Sequence, residues 1–223
     1  MGMGFGREYF EKMNYSSRGS IIRRFGVKVL TWASKRIGRN LFNGRGKRAL
    51  DIGCSFGYIT SLLKQARYET YGLDISKYAL REAIRRNADV FFLRHDVQRS
   101  LPFVGRTFDL ITCFDVLEHL DDPLKTLKSM YRACKGIIIC TTPHRLLDKP
   151  IRRLVKDYDD THKSLRTPGE WRRIFIEEMG LSPSKVLIES YYEVPICISN
   201  RLLAFKSIRI PKLGLNTRIL IRT

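Results

Sequence analysis

Acidic residues are scarce in this 223-residue sequence: 22 Asp and Glu stand against 41 Lys and Arg, a formal net charge of +19. That imbalance points to an anionic partner without choosing among nucleic acid, anionic lipid and a phosphorylated substrate. Cysteine is sparse as well. Cys54, Cys113, Cys134, Cys140 and Cys197 are odd in number and form no CxxC. This argues against a disulfide framework or a zinc knuckle, and predicts small buried hydrophobes in a reducing cytoplasm. No apolar run approaches the length of a membrane span. Residues 1–10 lack the apolar core of a signal peptide, and Gly6 stands where a myristoylation signal needs Ser or Thr. Repeats and low-complexity tracts are missing too. What is present is ordinary: 43% apolar and 28% charged residues. Such a composition excludes a wholly disordered chain, and the length suits one large domain with an appendage.

The charge is unevenly spread. Residues 1–48 carry a net +10, residues 49–141 only +2, and residues 142–223 a net +7. A nearly neutral module thus lies between two basic segments. We divide the chain into a basic N-terminal helical segment over 1–44 and a main domain over 45–223. In the first, Ile21, Ile22, Phe25, Val29, Leu30, Trp32, Ala33 and Ile37 recur at helical spacing, with Arg and Lys between them. Ser20 is placed to cap that helix. It either lies on the following domain with a solvated basic face, or makes peripheral contact with anionic lipid or RNA.

The middle module alternates strand and helix signals. Strands are predicted over 48–52, 70–73, 90–93, 108–114 and 136–141, and helices over 58–65, 77–87 and 123–134. Alternation of this kind implies right-handed βαβ units and a parallel sheet. The run Asp51-Ile-Gly-Cys-Ser-Phe-Gly57 joins the first strand to its helix. Glycines there allow a sharp turn and close approach of a ligand, and the helix start offers unbonded N–H groups. Asp74 follows the second strand, where an acid accepts from vicinal ribose hydroxyls. Asp96 follows the third. Three acids at successive strand ends line the crevice where doubly wound sheets bind ligands. A dinucleotide site remains open as an alternative. However, the full GxGxxG is missing, and a pyrophosphate would be repelled by Asp51, whereas a cationic sulfonium with an amino group and a ribose would not.

With those residues in place, ALDIGCSFGYIT, YGLDIS, RHDV and FDLITCFDVLEHLDDP resemble the successive motifs of class I S-adenosylmethionine-dependent methyltransferases. The match is to the branch with a D-V-L-E-H-L signature, and runs from about Arg48 to Thr142, more loosely to Gly180. Ser55 departs from the family's usual middle glycine. The resemblance implies an α/β, Rossmann-like, doubly wound, three-layer αβα fold. Its sheet would have seven mostly parallel strands, with an antiparallel edge pair formed here by 186–192 and 218–222. It implies S-adenosylmethionine as cofactor and S-adenosylhomocysteine as product. Gly53, Ser55 and Gly57 would form the loop around the methionine part, with Asp51 orienting it or accepting from the cofactor amino group through water. Asp74 would hold the ribose hydroxyls and Ile75 pack on the adenine. Asp96 would accept from the adenine amino group beside Val97. Phe114 and Asp115 would floor the methyl-transfer pocket.

Catalytic candidates follow. On a helix, Asp115, Glu118 and His119 would share one face at i, i+3 and i+4. A divalent metal is the lesser reading, since most relatives with this signature carry none; the preferred reading gives the site no metal and makes His119 a pocket residue or general base. The run Asp157 to Leu165 resembles the family's D-x-T-H segment within a substrate-side cap over about 143–170, so His162 is a second acid/base candidate and His144 a weaker third. Arg145, Lys149, Arg152, Arg153 and Lys156 form a basic run that suits an anionic acceptor or a solvated face. The 200–215 stretch is either a membrane- or partner-facing excursion or a packed loop. The leading expectation is methyl transfer to a small-molecule or lipid-linked acceptor. An RNA or tRNA methyltransferase is the alternative favoured by charge, although Phe114-Asp-Val-Leu117 stands where base-methylating enzymes have N-P-P-Y. A non-catalytic binding protein is the third, opposed by the intact acids Asp51, Asp74 and Asp96.

Overall fold

A computed structural model describes residues 5–103, 105–148, 161–198, 201–209 and 214–223. Eight strands form one sheet: β1 Arg48–Ile52, β2 Glu69–Asp74, β3 Phe91–Arg94, β4 Phe108–Phe114, β5 Cys134–Pro143, β6 Val186–Ile198, β7 Arg201–Arg209 and β8 Asn216–Arg222. Their order is β3-β2-β1-β4-β5-β8-β6-β7. The first five are parallel, with Leu50 opposite Tyr71 on one side and Ile111 on the other. The last three are antiparallel. The α-helices lying wholly within the described residues are α1 Arg7–Lys12, α2 Gly19–Ile37, α3 Tyr58–Gln65, α4 Lys77–Arg86, α5 Pro123–Ala133 and α6 Pro168–Arg173.

Side chains alternate across each strand, so two cores form, one on each face of the sheet. Leu50, Ile52, Phe108 and Ile111 point towards Leu127 and Met130 of α5 and Trp171 of α6. Ala49, Leu110, Ile137 and Ile139 point towards Leu30 and Ala33 of α2 and Ile59, Leu62 and Leu63 of α3. Each fully buried Leu or Ile contributes about 1.5–3 kcal/mol. Helix starts follow their local chemistry. Ser76 caps α4, Asp122 caps α5 ahead of Pro123, and Thr167 with Glu170 forms a capping box on α6.

Three expectations need correction. The sheet has eight strands, because the apolar run Val194–Ile198 carries β6 past Tyr192 and gives β7 a partner. Part of the 200–215 stretch is therefore a strand. The antiparallel pair of 186–192 with 218–222 is present, but β7 lies beyond it, so β8 is interior, between β5 and β6, and the edge strand is β7. Ser20 does not cap α2. A 3-10 turn over Tyr15–Arg18 runs straight into the helix, which puts Ser20 inside it.

Some of the positive charge is consumed internally. Buried Glu189 on β6 accepts from Trp32 Nε1 of α2 at 2.7 Å and from the Tyr191 hydroxyl at 2.5 Å. Arg36 and Arg209 also reach it. Burial would raise this carboxyl, but the two neutral donors and the two guanidinium groups bring it below its ordinary value. Among the described residues, no helix is long and apolar enough to cross a membrane.

Candidate active site

The chain reverses direction of sheet growth between β1 and β4, which opens a crevice at the carboxyl ends of the strands. A cavity of about 1000 Å³ fills it. Asp51 near the end of β1 with Gly53 and Ser55 beyond it, Asp74 ending β2 with Ile75, Asp96 and Val97 beyond β3, and Phe114 ending β4 with Asp115 all line this cavity. Gly57 does not. It sits at φ 76 as the residue before α3, facing Asn87 and Ala83.

The loop after β1 is clamped from two sides. Asp51 accepts from Thr60 Oγ1 at 2.7 Å and from Thr112 Oγ1 at 2.8 Å. Asp74 accepts the Ser55 N–H through Oδ2 and the Ser76 N–H through Oδ1, both at 2.8 Å. Ser55 is left-handed at φ 48, and Gly53 at φ 67 is pressed against Val116, so a Cβ at Gly53 would overlap that side chain. Serine thus replaces glycine at 55 without opening the turn.

These acids are held in an unfavourable medium. Burial pushes the Asp51 carboxyl up to about 6, and the neighbouring Asp74 charge adds to the rise. Burial also raises Asp74 and Asp115. Asp115 is exposed at the cavity wall yet surrounded by protein. It adopts φ 52, accepts from Thr141 Oγ1 at 2.9 Å and donates its N–H to the Thr141 carbonyl. Asp96 is half-buried and accepts the Gln98 N–H. Apart from its histidines, the cavity wall has only Arg18 and Lys163 as cations among the described residues.

Opposite the acids stands a cluster that the sequence only partly foretells. The expected helix through Asp115, Glu118 and His119 is not there. Leu117–His119 is a 3-10 turn and Asp115 is left-handed, so the three do not share a helix face. Instead, the Glu118 carbonyl accepts the N–H groups of Lys163 and Ser164, which brings His162 over His119. The two rings lie 4.8 Å apart. His119 Nδ1 meets Thr161 Oγ1 at 2.8 Å. His162 Nδ1 lies 3.2 Å from a carboxylate oxygen of Asp148, itself buried. The ligating atoms of Glu118, His119 and His162 fall within 4.8 Å of one another. His144 is fully buried and does not line the cavity. Lys149, Arg152, Arg153, Lys156, Asp157, Asp159 and Asp160 lie outside the described residues.

The cavity's third wall comes from the N-terminus. Phe10 packs on Phe56 and Tyr15, at 5.1 and 5.3 Å between ring centroids, and Phe5 meets His119 at 5.5 Å. Tyr9, Met13, Ile21, Ile22 and Phe25 continue this wall. Burial raises the Tyr15 phenol, which therefore stays neutral. Sequence reasoning missed these aromatics and Asp148. The density of rings over 5–15 was the available signal for the first; nothing in the sequence marks the second.

Residues 28–185 match the model of the methyltransferase-domain family. The chain belongs to that family. A ubiquinone biosynthesis O-methyltransferase of Vibrio cholerae is 29% identical over 106 residues, 45% of this chain and 43% of the relative. The chain thus spans less than half the length of that curated relative. Among solved structures, an S-adenosylmethionine-dependent methyltransferase from Archaeoglobus fulgidus superposes with a TM-score of 0.67 at 19% identity, covering 97% of this chain and 100% of that one. The magnesium protoporphyrin IX methyltransferase of Synechocystis, with S-adenosylhomocysteine bound, gives 0.59 at 17% identity, over 90% and 82%. These likenesses are of fold.

The residues of this methyltransferase domain fit the cofactor of the family. Desolvated carboxylates with few cations around them favour a positively charged guest, and a sulfonium with an ammonium is one. Asp74 has lone pairs left for ribose hydroxyls after taking two N–H groups. Ile75, 43% exposed, offers an apolar surface at the same rim.

Proposed function

We propose that the chain transfers a methyl group from S-adenosylmethionine to a hydroxyl of a small-molecule or lipid-linked acceptor. The observation that supports this most is the Asp148–His162 pair beside His119, in the same cavity as the three strand-end acids. When bound, S-adenosylmethionine supplies an already activated methyl carbon. The chain's task is then positioning, which lowers such barriers by several kcal/mol, and removal of one proton. Asp51 and Asp74 hold the loop that carries the cofactor. Asp148 accepts a hydrogen bond from His162 Nδ1–H, which keeps the proton on Nδ1 and makes Nε2 the basic nitrogen for the acceptor hydroxyl. Phe25, Ile21, Ile22 and Tyr9 give the acceptor an apolar, aromatic wall. Curated relatives that are O-methyltransferases of ubiquinone biosynthesis support an acceptor of this kind.

The test incubates the protein and labelled S-adenosylmethionine with cell extract, then separates lipid, small-molecule, RNA and protein fractions. Label is expected in the lipid or small-molecule fraction. Label in RNA would overturn the acceptor class. In His162→Asn, kcat should fall about 10²–10⁴-fold with S-adenosylhomocysteine affinity unchanged. Activity lost to a chelator and restored by a divalent ion would instead assign Glu118, His119 and His162 to a metal.

A further inference from the structure

A second groove, of about 1060 Å³, lies on the outer side of α4 next to the cavity. Five cations line it: Arg7, Lys77, Arg81, Arg85 and Arg94. Its one acid is Glu82, already engaged by Arg85 at 2.6 Å and by Arg86 at 3.0 Å. Arg7 is paired with Glu11, and Arg94 Nε donates to the Ile75 carbonyl. Lys77 and Arg81 have no ion pair or side-chain hydrogen bond among the described residues. They are exposed on α4, one turn apart, on the face opposite buried Ala79 and Ala83. Like charges gathered in a concavity repel one another, and the concavity focuses their field on whatever enters. An anion relieves that repulsion, and guanidinium and ammonium groups suit phosphate oxygens.

The groove and the cavity share two walls, Phe5 and Ile75. Phe5 is also the ring that meets His119. One aromatic side chain therefore separates the imidazoles from the basic groove. We propose that this groove binds the phosphate of the acceptor, so that the substrate is a phosphate-bearing molecule whose hydroxyl end passes Phe5 to reach His119 and His162. This rests on the acceptor reading above. The phosphate belongs either to a free metabolite or to a lipid headgroup at a bilayer surface; the chemistry recognised is the same.

Binding is measured without turnover, so that its failure is separable from failure of methyl transfer. The full chain is titrated with inorganic pyrophosphate by calorimetry, and co-sedimented with phosphatidylcholine vesicles with and without phosphatidic acid. The double variant Lys77→Glu, Arg81→Glu is compared with Lys125→Glu, Lys128→Glu, which changes the same charge on exposed positions of α5. The groove variant should lose binding about 10-fold or more, while the α5 variant and the S-adenosylhomocysteine affinity of both stay at wild type. Groove-dependent binding of pyrophosphate alone identifies a free phosphate; groove-dependent binding to phosphatidic acid vesicles identifies a headgroup. Equal losses in the two variants, or no binding of either probe, overturns the proposal. So does groove-dependent retention of tRNA when neither phosphate probe binds.

Discussion

Asp74→Asn is the substitution that separates the two tasks assigned to this carboxylate. In the wild type each oxygen accepts one backbone N–H, from Ser55 and Ser76, at 2.8 Å. Asparagine has one acceptor oxygen, so one of these N–H groups would face an NH₂ instead. A hydrogen bond to a charged group contributes about 1.5–3 kcal/mol, and the surviving bond drops to the neutral range of about 1 kcal/mol. Against this, burial raises Asp74, so the charge itself is costly here and its removal returns part of the loss. A net destabilisation of about 2 kcal/mol is expected, which for a chain of this size lowers Tm by about 4–8 °C. Loss of one acceptor towards the ribose should weaken S-adenosylhomocysteine by a further ~10–100-fold. Calorimetry and thermal melts of the same preparations read the two effects separately. Unchanged affinity with a lowered Tm would confine Asp74 to clamping the loop. An unchanged Tm would refute the clamp and the reasoning from which its magnitude comes.

Two further outcomes follow from the same site. Asp51 titrates near 6 when folded against about 3.8 when unfolded. The folded free protein therefore holds the extra proton between these values, and the stability from this group declines as pH rises through that window. A cationic ligand prefers the ionised form, so S-adenosylmethionine binding should release a proton at pH 5.5 and none at pH 8. Calorimetry in two buffers of different ionisation enthalpy measures this, and proton uptake at pH 5.5 would contradict it. In Phe10→Ala, removal of a ring that contacts Tyr9, Tyr15, Phe56 and Tyr78 should cost about 3 kcal/mol locally. Amide exchange over residues 7–15 should accelerate and S-adenosylhomocysteine should leave faster in stopped-flow, with little change in exchange across β1 and β4. Uniform acceleration would mean that the aromatic wall is part of the global core.

The acids were legible because their positions are fixed locally. Asp51 is the penultimate residue of the five-residue β1, Asp74 the last of β2, and Asp96 the second residue beyond β3, so a short apolar strand is enough to place each near the sheet's carboxyl edge. Strand limits were legible where burial is two-sided, as in Ile137–Cys140, and failed where pairing decides, as in β7, whose existence depends on β6 running on to Ile198. Glu118 and His119 were found but set on the wrong element, since a three-residue 3-10 turn has no periodicity to read. Asp148 beside His162 and Phe5 against His119 are contacts between segments 14 and 114 positions apart. Neither spacing nor composition encodes them; the same holds for His162 beside His119, which depends on the Glu118 carbonyl capturing residues 163 and 164.

The net charge of +19 divides by location into three different physical roles. Arg36 and Arg209 are spent on Glu189, tying α2 to the antiparallel strands, and Arg218 lies over the Tyr191 ring at 4.2 Å. These cations stabilise the fold and say nothing of a partner. Lys77, Arg81 and three further cations are collected in one groove that holds a single acid, Glu82. The cavity itself runs the other way, with five aspartates in its wall. A protein built this way presents an anion-attracting rim around a cation-accepting interior. Opposite charges on cofactor and acceptor can then be served by adjoining sites with one ring, Phe5, between them. A single pocket of either sign would bind one substrate at the expense of the other.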